Sequence, residues 1–292
     1  MTSDDETTSP ASSAGSFLEK KELLEAYDAH PLQIGTILER VMRGGRHPIT
    51  ELDLANDEET QITDQNHIGG GAFVKALAKL AHVQESEHVV DLGAGLGGPA
   101  RLLAYLYGCS VLAIDISETR CRAARELTQL TGLTSKVTTA CADVTTMSVR
   151  DIVADVLWGQ NALLHIRDRK SLFSRWAPVL RHKGRIALED VYVSPRPRSQ
   201  AQEAMLEQLS ACWLAHLTPI GNWGEDLAAA GFVVTALTDL SSTLAPWLTG
   251  LRRAVAGANP PPAREADGWL LGEKLANDGV IGYFRLLATR NA

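Results

Sequence analysis

The sequence predicts an α/β fold, a doubly wound seven-stranded sheet preceded by a helical N-terminal cap. Three observations predict it. From residue 88 onward, short β-branched runs alternate with helical stretches, the pattern of parallel strands joined by right-handed crossovers. A glycine-rich turn, VVDLGAGLGGPARLL at 89–103, follows the first of those runs. A last apolar run, VIGYFRLLATR, closes the pattern as an antiparallel strand.

Each element follows in order. Residues 1–16, MTSDDETTSPASSAGS, are acidic and lack an apolar core, so they are expected as a disordered tail rather than a signal peptide. Residues 17–85 are the expected cap. There Leu18, Leu23, Leu24 and Tyr27 recur at helical spacing, Pro31 breaks the helix, and a second short helix follows. A polar connection crowds Asp64, Gln65, Asn66 and His67 together before the helix FVKALAKLA. The main domain is expected over 86–292. HVVDL is a buried strand, and PARLLAYLYG a helix with Pro99 in its first turn. SVLAIDI is the second strand, followed by a helix that Ser117 caps and Gly132 ends. KVTTACAD and ADVLWGQN are strands three and four. Asp168 caps the helix DRKSLFSRWAPVLRHKG, and RIALEDVYV is strand five. A long helix, AQEAMLEQLSACWLAHL, and a short one, NWGEDLAAAG, then precede strand six, FVVTALTDL. The insert at about 195–224 is expected to form a lid with the N-terminal helices. Two more helices, either side of a proline-rich loop, lead to the final strand.

Bulk properties narrow the function classes. The chain has 292 residues, 45% of them hydrophobic and 22% charged, the balance of an ordinary globular protein. Lys plus Arg is 28 against 35 for Asp plus Glu, a net charge of -7, which argues against a broad nucleic-acid face. Cys109, Cys121, Cys141 and Cys212 have no metal-ligand spacing and are expected as reduced, mostly buried thiols. No apolar run is long enough for a membrane span. A cytoplasmic protein with a small-molecule partner is expected, without metal, membrane or nucleic acid, and with a homodimer left open.

The glycine turn fits two spacings. Gly93-x-Gly95-x-x-Gly98 is a dinucleotide fingerprint, and Asp91-x-Gly93-x-Gly95-x-Gly97 an adenosylmethionine one. Four features support a nucleoside site here, and two of them, Asp91 and Asp143, favour the second spacing. Asp91 lies on the strand, where it suits a cofactor bearing an ammonium and a sulfonium better than two phosphates. Asp115 ends strand two, where a carboxylate takes both ribose hydroxyls. Asp143 ends strand three, where a carboxylate can meet the exocyclic amine of an adenine. The run GQNALLHI after strand four lies at the sheet edge where open α/β folds build their sites.

On these residues the sequence resembles a family. VVDLGAGLGGPARLLA, VLAIDIS, ACAD and WGQNALLHIRDRKSLFSRWAPVLRHKGRIALED are similar to the consecutive motifs of class I S-adenosyl-L-methionine-dependent methyltransferases, a Rossmann-like fold. Within that group they most resemble the small-molecule branch of sarcosine and dimethylglycine N-methyltransferases. The resemblance spans 64–191 and, more weakly, 220–290. It implies that Gly93, Ala94 and Gly95 line the methionine end of the cofactor and that Asp115 binds the ribose. Ile116 would lie against the adenine, Asp143 and the Val144 backbone would hold its edge, and Gln160 would approach the sulfur. Where relatives often read Ser-Gln-Asp, this chain has Gly159, Gln160 and Asn161.

Methyl transfer from a sulfonium needs alignment in a dry pocket, and a base only where the acceptor arrives protonated. His165, just past strand four, is the expected base, with packing of the cap as the alternative role. His67 and Asn161 are the expected substrate contacts. Arg196 and Arg198 suit a carboxylate but fit a solvated loop better. Of Trp213, Trp223, Trp247 and Trp269, one or two are expected to wall the acceptor and the rest to be core. The expected function is methylation of a small molecule, nitrogen ahead of oxygen or carbon, with a natural product or lipid-like acceptor as the variant. A non-catalytic S-adenosylmethionine-binding protein and a nicotinamide oxidoreductase are the rivals.

Overall fold

Seven runs of alternating or continuous apolar residues pair into one sheet, in the order β3-β2-β1-β4-β5-β7-β6. They are β1 (His88–Leu92), β2 (Ser110–Asp115), β3 (Val137–Cys141), β4 (Ala154–Gln160), β5 (Leu180–Val193), β6 (Phe232–Asp239) and β7 (Ile281–Arg290). The first five are parallel, and β7 inserts antiparallel between β5 and β6. This is the expected α/β Rossmann-like sheet. The computed structural model describes residues 10–30, 32–43, 45, 48–56, 62–256 and 261–290.

The cap begins with α1 (Pro10–Asp28), α2 (Ile34–Arg43) and α3 (Glu51–Ala55). The boundary expected at 16/17 falls inside α1, while residues 1–9 of the expected tail and the break at Pro31 lie outside the described residues. Next come α4 (Gly70–Ala81), α5 (Gly98–Tyr107), α6 (Glu118–Leu130) and α7 (Arg169–Trp176). Asp168 caps α7 as expected, accepting from the Ser171 amide at 2.9 Å. The helix is shorter than its sequence suggests. Pro178 brings no amide hydrogen to the helical ladder, so a 3-10 turn over Ala177–Val179 ends it and β5 starts at Leu180. Then follow α8 (Gln200–Trp213), α9 (Ile220–Ala229), α10 (Leu244–Ala256) and α11 (Ala263–Asn277).

Burial divides these elements into three packed layers. Val74, Leu77, Leu102 and Leu103 of α4 and α5 cover one face of the sheet, against Val89, Val111 and Trp158. Phe173, Trp176, Trp223 and Leu227 of α7 and α9 cover the other. A third cluster joins Ile37, Leu209, Leu248, Trp269 and Leu275 of the cap and late helices to Val191, Ile281 and Tyr283, at the sheet edge where the parallel strands end. Among the described residues, no helix is long and apolar enough to cross a membrane. Cys109 and Cys121 are buried, but Cys141 is exposed at the end of β3 and Cys212 half-buried, so the expectation of mostly buried thiols holds for only two.

One ionic cluster fastens the cap to this frame. Arg101 of α5, 0% exposed, donates Nε to Glu51 (3.0 Å) and Nη2 to Asp64 (2.7 Å), both buried. Its Nη1 donates to the Leu96 carbonyl at 2.7 Å. Two carboxylates share one guanidinium, and burial together with the Asp64 charge pushes the Glu51 pKa well up. Replacing one member strands buried charge. Arg101→Met is therefore expected to cost about 3–5 kcal/mol, read as a lowered urea midpoint. A loss below about 1 kcal/mol, the worth of an exposed pair, would mean that the cap docks through apolar contacts alone.

Candidate active site

The turn from β1 into α5 demands glycine. Gly93, Gly95 and Gly97 have φ of +77°, +55° and +74°, where side chains with a Cβ are strained. A Cβ on Gly93 would also stand 2.5 Å from that of Ala162. The amides of Gly93 and Ala94 both donate to the Ile114 carbonyl (2.8 and 2.9 Å), which pins the turn to β2. Asp115, at the end of β2, accepts from the Gly95 amide (2.8 Å) and the Ser117 amide (2.9 Å), one on each oxygen. Its carboxylate is thereby oriented, with a second lone pair on each oxygen still available.

The turn opens into a cavity of about 750 Å³ at the carboxyl edge of the parallel strands. The residues expected from the sequence to hold the cofactor border it, as do His67, Asn161 and His165. Their partners differ. Asp91 is 2% exposed and its Oδ2 has no hydrogen-bond partner. Burial, with the Asp115 charge second, pushes its pKa up to about 8. Asp143 lies just beyond β3; its Oδ1 accepts from Thr145 and its Oδ2 pairs with Lys20 of α1. The Val144 carbonyl accepts from Trp176 Nε1 at 2.9 Å. Gln160 is anchored in the fold: Oε1 accepts from Trp158 Nε1 (2.9 Å) and Nε2 donates to Glu189 (2.6 Å), with a second N–H and a second lone pair left over.

Asn161 has a φ of +52°, a backbone state asparagine tolerates better than most residues. Its Oδ1 accepts from the Ile68 amide (3.2 Å) and the Tyr283 hydroxyl (2.6 Å), tying the cap to β7. His67 is buried, with Nδ1 3.1 Å from the Ile68 carbonyl, and desolvation pushes its pKa down to about 4. His165 ends a 3-10 turn, Leu163–His165, that the C-terminal end of α8 clamps. Its Nδ1 is 3.0 Å from the Leu214 carbonyl, which can only accept, so Nδ1 carries the proton. Nε2 then accepts from the Tyr27 hydroxyl at 2.8 Å. Desolvation holds the His165 pKa below its ordinary value.

Tyr27, Lys20 and Arg120 are the cavity residues that motif reading missed. Arg120, 1% exposed, stacks over the Tyr27 ring at 4.6 Å, and its Nε and Nη1 have no hydrogen-bond partner. Tyr27 and Lys20 reach the site from α1, far along the chain from any motif. Arg196 and Arg198 stay outside; Arg198 binds Glu203 and the Ser194 carbonyl within its own loop.

A second chamber of about 400 Å³ adjoins the first. Leu23, Tyr27, Asn66, His67, Asn161 and His165 border both. Trp213, Trp247 and Trp269 face this chamber, whereas Trp223 is core under Arg169. Three of the four tryptophans thus border this chamber.

The glycine turn, Asp115 at the end of β2 and Asp143 after β3 fall within a stretch that is similar to a known family. Residues 90–188 match the family model described as a methyltransferase domain. Among known proteins, the chain is 29% identical over 174 residues to a glycine/sarcosine/dimethylglycine N-methyltransferase of Actinopolyspora halophila, covering 59% of this chain and 30% of that one. It is 28% identical over 159 residues to a sarcosine/dimethylglycine N-methyltransferase of Halorhodospira halochloris, covering 54% of each. The aligned stretch thus spans 30% and 54% of these two relatives' lengths. Of solved structures, a cyclopropane synthase from Mycobacterium tuberculosis shares the fold with a TM-score of 0.70 at 15% identity, over 91% of this chain and 98% of that one.

Asp91 carries a measurable cost. Its folded pKa, about 8, lies above the unfolded value of 3.8, so stability is intact below about pH 4 and is lost as pH rises through 8. Asp91→Asn removes that cost. The ligand-free variant should melt above the parent at pH 8, and the gain should vanish by about pH 4. Equal melting temperatures at pH 8 would mean that Asp91 has a partner.

Proposed function

We propose that this protein is an S-adenosylmethionine-dependent methyltransferase that acts on a small molecule, at an atom that gives up a proton, nitrogen ahead of oxygen. One observation carries the reading. Asp91 is buried in the wall of a cavity opened by positive-φ glycines, and its Oδ2 has no hydrogen-bond partner. A buried carboxylate without a partner is costly, and a cationic ligand removes the cost. The ammonium of S-adenosylmethionine supplies that cation, and its ribose diol matches the free lone pairs of the oriented Asp115. Asp143 and Ile116 would flank the adenine, with Lys20 yielding or sharing Asp143. When bound, the cofactor supplies an activated methyl group on a sulfonium.

The chain's own residues supply position and proton transfer. The two chambers meet at Tyr27, His67, Asn161 and His165, so an acceptor atom at that wall would face the cofactor cavity. An acceptor proton can pass to the Tyr27 oxygen while the Tyr27 hydroxyl proton passes to His165 Nε2. His165 becomes the imidazolium, with Nδ1–H still bound to the Leu214 carbonyl. His67, held neutral by burial, would contact the acceptor without charge. Helix α1 and the end of α8 would act as the lid, latched by the Lys20–Asp143 and Glu19–Arg167 pairs.

Cofactor identity is tested by thermal stabilisation. S-Adenosylhomocysteine should add roughly 2.7 kcal/mol at a hundredfold excess over its dissociation constant, while NAD adds nothing. Stabilisation by NAD alone would end the reading. Stabilisation by S-adenosylhomocysteine with no turnover across a panel of amines and phenols would leave only a binding protein.

The relay makes a second prediction, on the first acceptor that turns over. His165→Ala should lower kcat by roughly 10² to 10⁴ with S-adenosylhomocysteine affinity little changed. Because the His165 pKa is lowered, the wild-type rate should rise with pH only below about 6.5 and stay flat at neutrality. Tyr27→Phe should lose kcat as well. A midpoint above neutrality, or full turnover in either variant, would assign deprotonation to another group.

A further inference from the structure

The second chamber identifies the kind of acceptor, and the reasoning rests on the methyl-transfer reading above. Its walls are built by precise fits of large rings against small residues. The Trp213 ring of α8 lies on two glycines one turn apart in α11. A Cβ on Gly268 would stand 2.8 Å from it, and one on Gly272 2.5 Å. The Trp247 ring of α10 lies over Gly70, where a Cβ would be 3.2 Å away. Trp269 meets the His30 ring edge-to-face, with centroids 6.4 Å apart. Leu32, Leu248 and Leu251 fill the gaps between the rings.

Charge is kept away from the inner end of this space, the wall shared with the first chamber. Among the described residues that border it, Glu22, Glu25 and Arg264 are exposed, which puts them on its solvent side. Glu265, half-buried, accepts at 3.0 Å from Nε2 of His30, whose pKa burial lowers. At the inner end, Asn161 Oδ1 accepts from the Ile68 amide and the Tyr283 hydroxyl, and His67 Nδ1 faces the Ile68 carbonyl; neither residue is charged there. Neither a carboxylate nor an ammonium would find a free counter-charge there, and a buried ion without one costs several kcal/mol. An apolar body gains from every wall, and about 400 Å³ lies within the range of small-molecule pockets.

We infer that the methyl acceptor is an uncharged small molecule with an apolar aromatic or alicyclic body, seated among Trp213, Trp247 and Trp269, its nucleophilic atom at the wall the two chambers share. A compact zwitterion such as an N-methylated amino acid does not fit this chamber. Trp247 and Leu251 are then specificity-determining residues.

The test is calorimetric and does not require turnover. 4-Hexylphenol, as a neutral apolar probe, and dimethylglycine, as a charged one, are titrated into the full chain with and without saturating S-adenosylhomocysteine. The phenol should bind saturably and dimethylglycine should not. Trp247→Ala and Leu251→Asp should each weaken the phenol by about tenfold or more, while S-adenosylhomocysteine binds both variants as it binds the parent. Binding of dimethylglycine that neither substitution changes, or phenol binding of parental strength in both folded variants, overturns the inference. So does absence of phenol binding to protein that holds S-adenosylhomocysteine. Phenol binding in a protein that never takes up S-adenosylhomocysteine overturns the methyl-transfer reading instead.

Discussion

The buried guanidinium of Arg101 is the contact on which the site depends. It lies on α5, the helix launched by the glycine turn, and it holds Glu51 of α3 and Asp64 of the connection behind it. That grip presses the 64–67 segment onto the start of α5. Gly98 shows how closely: a Cβ there would stand 2.4 Å from the Asp64 carbonyl oxygen. With Asp64 fixed, Asn66 and His67 fall on the wall between the two chambers. An exposed pair of the same composition would be worth little, but burial makes the cluster intolerant of losing any member. Cap and sheet are therefore one unit where the site requires it.

The cavity shows the opposite economy, with polar groups left unsatisfied. Asp91 Oδ2 and the Nε and Nη1 of Arg120 are buried without partners. Both residues border the large cavity, so each can meet a ligand group. Around them the fold is over-determined: Gly93, Ala94 and Gly95 are pinned through Ile114 and Asp115. Rigid support of this kind lets a protein hold strained or unpaired groups ready for a ligand. The His165 turn is supported in the same way. The His216 amide donates to the Leu164 carbonyl at 2.7 Å, and Arg169 reaches the Ile166 and His216 carbonyls.

The two chambers divide the work between polar and apolar recognition. The larger one is edged by backbone turns and carboxylates from the strand ends, which suit a polar cofactor. The smaller one is walled by side chains of the late helices and the cap. Their shared wall joins Tyr27 of α1 to His165 of the sheet edge, so a hydrogen bond between cap and sheet lies where the two chambers meet.

The sequence by itself determined the sheet and the polar chamber. Strand and helix order, the positive-φ glycines and the acidic strand ends are local properties: each depends on a few neighbouring residues, and their spacing is visible in the chain. Helix ends were less legible where competing signals met, as at Pro178, which cut α7 short. Tertiary structure alone decided the rest. Nothing local links Tyr27 to His165, Lys20 to Asp143, or Arg101 to Glu51 and Asp64, because each pair lies on elements far apart in the chain. The tryptophans were visible, but not their convergence: Trp213 needs two glycines of a later helix and Trp247 one of an earlier helix. A chamber made of such long-range fits leaves no spacing to read, whereas a glycine turn made by consecutive residues does.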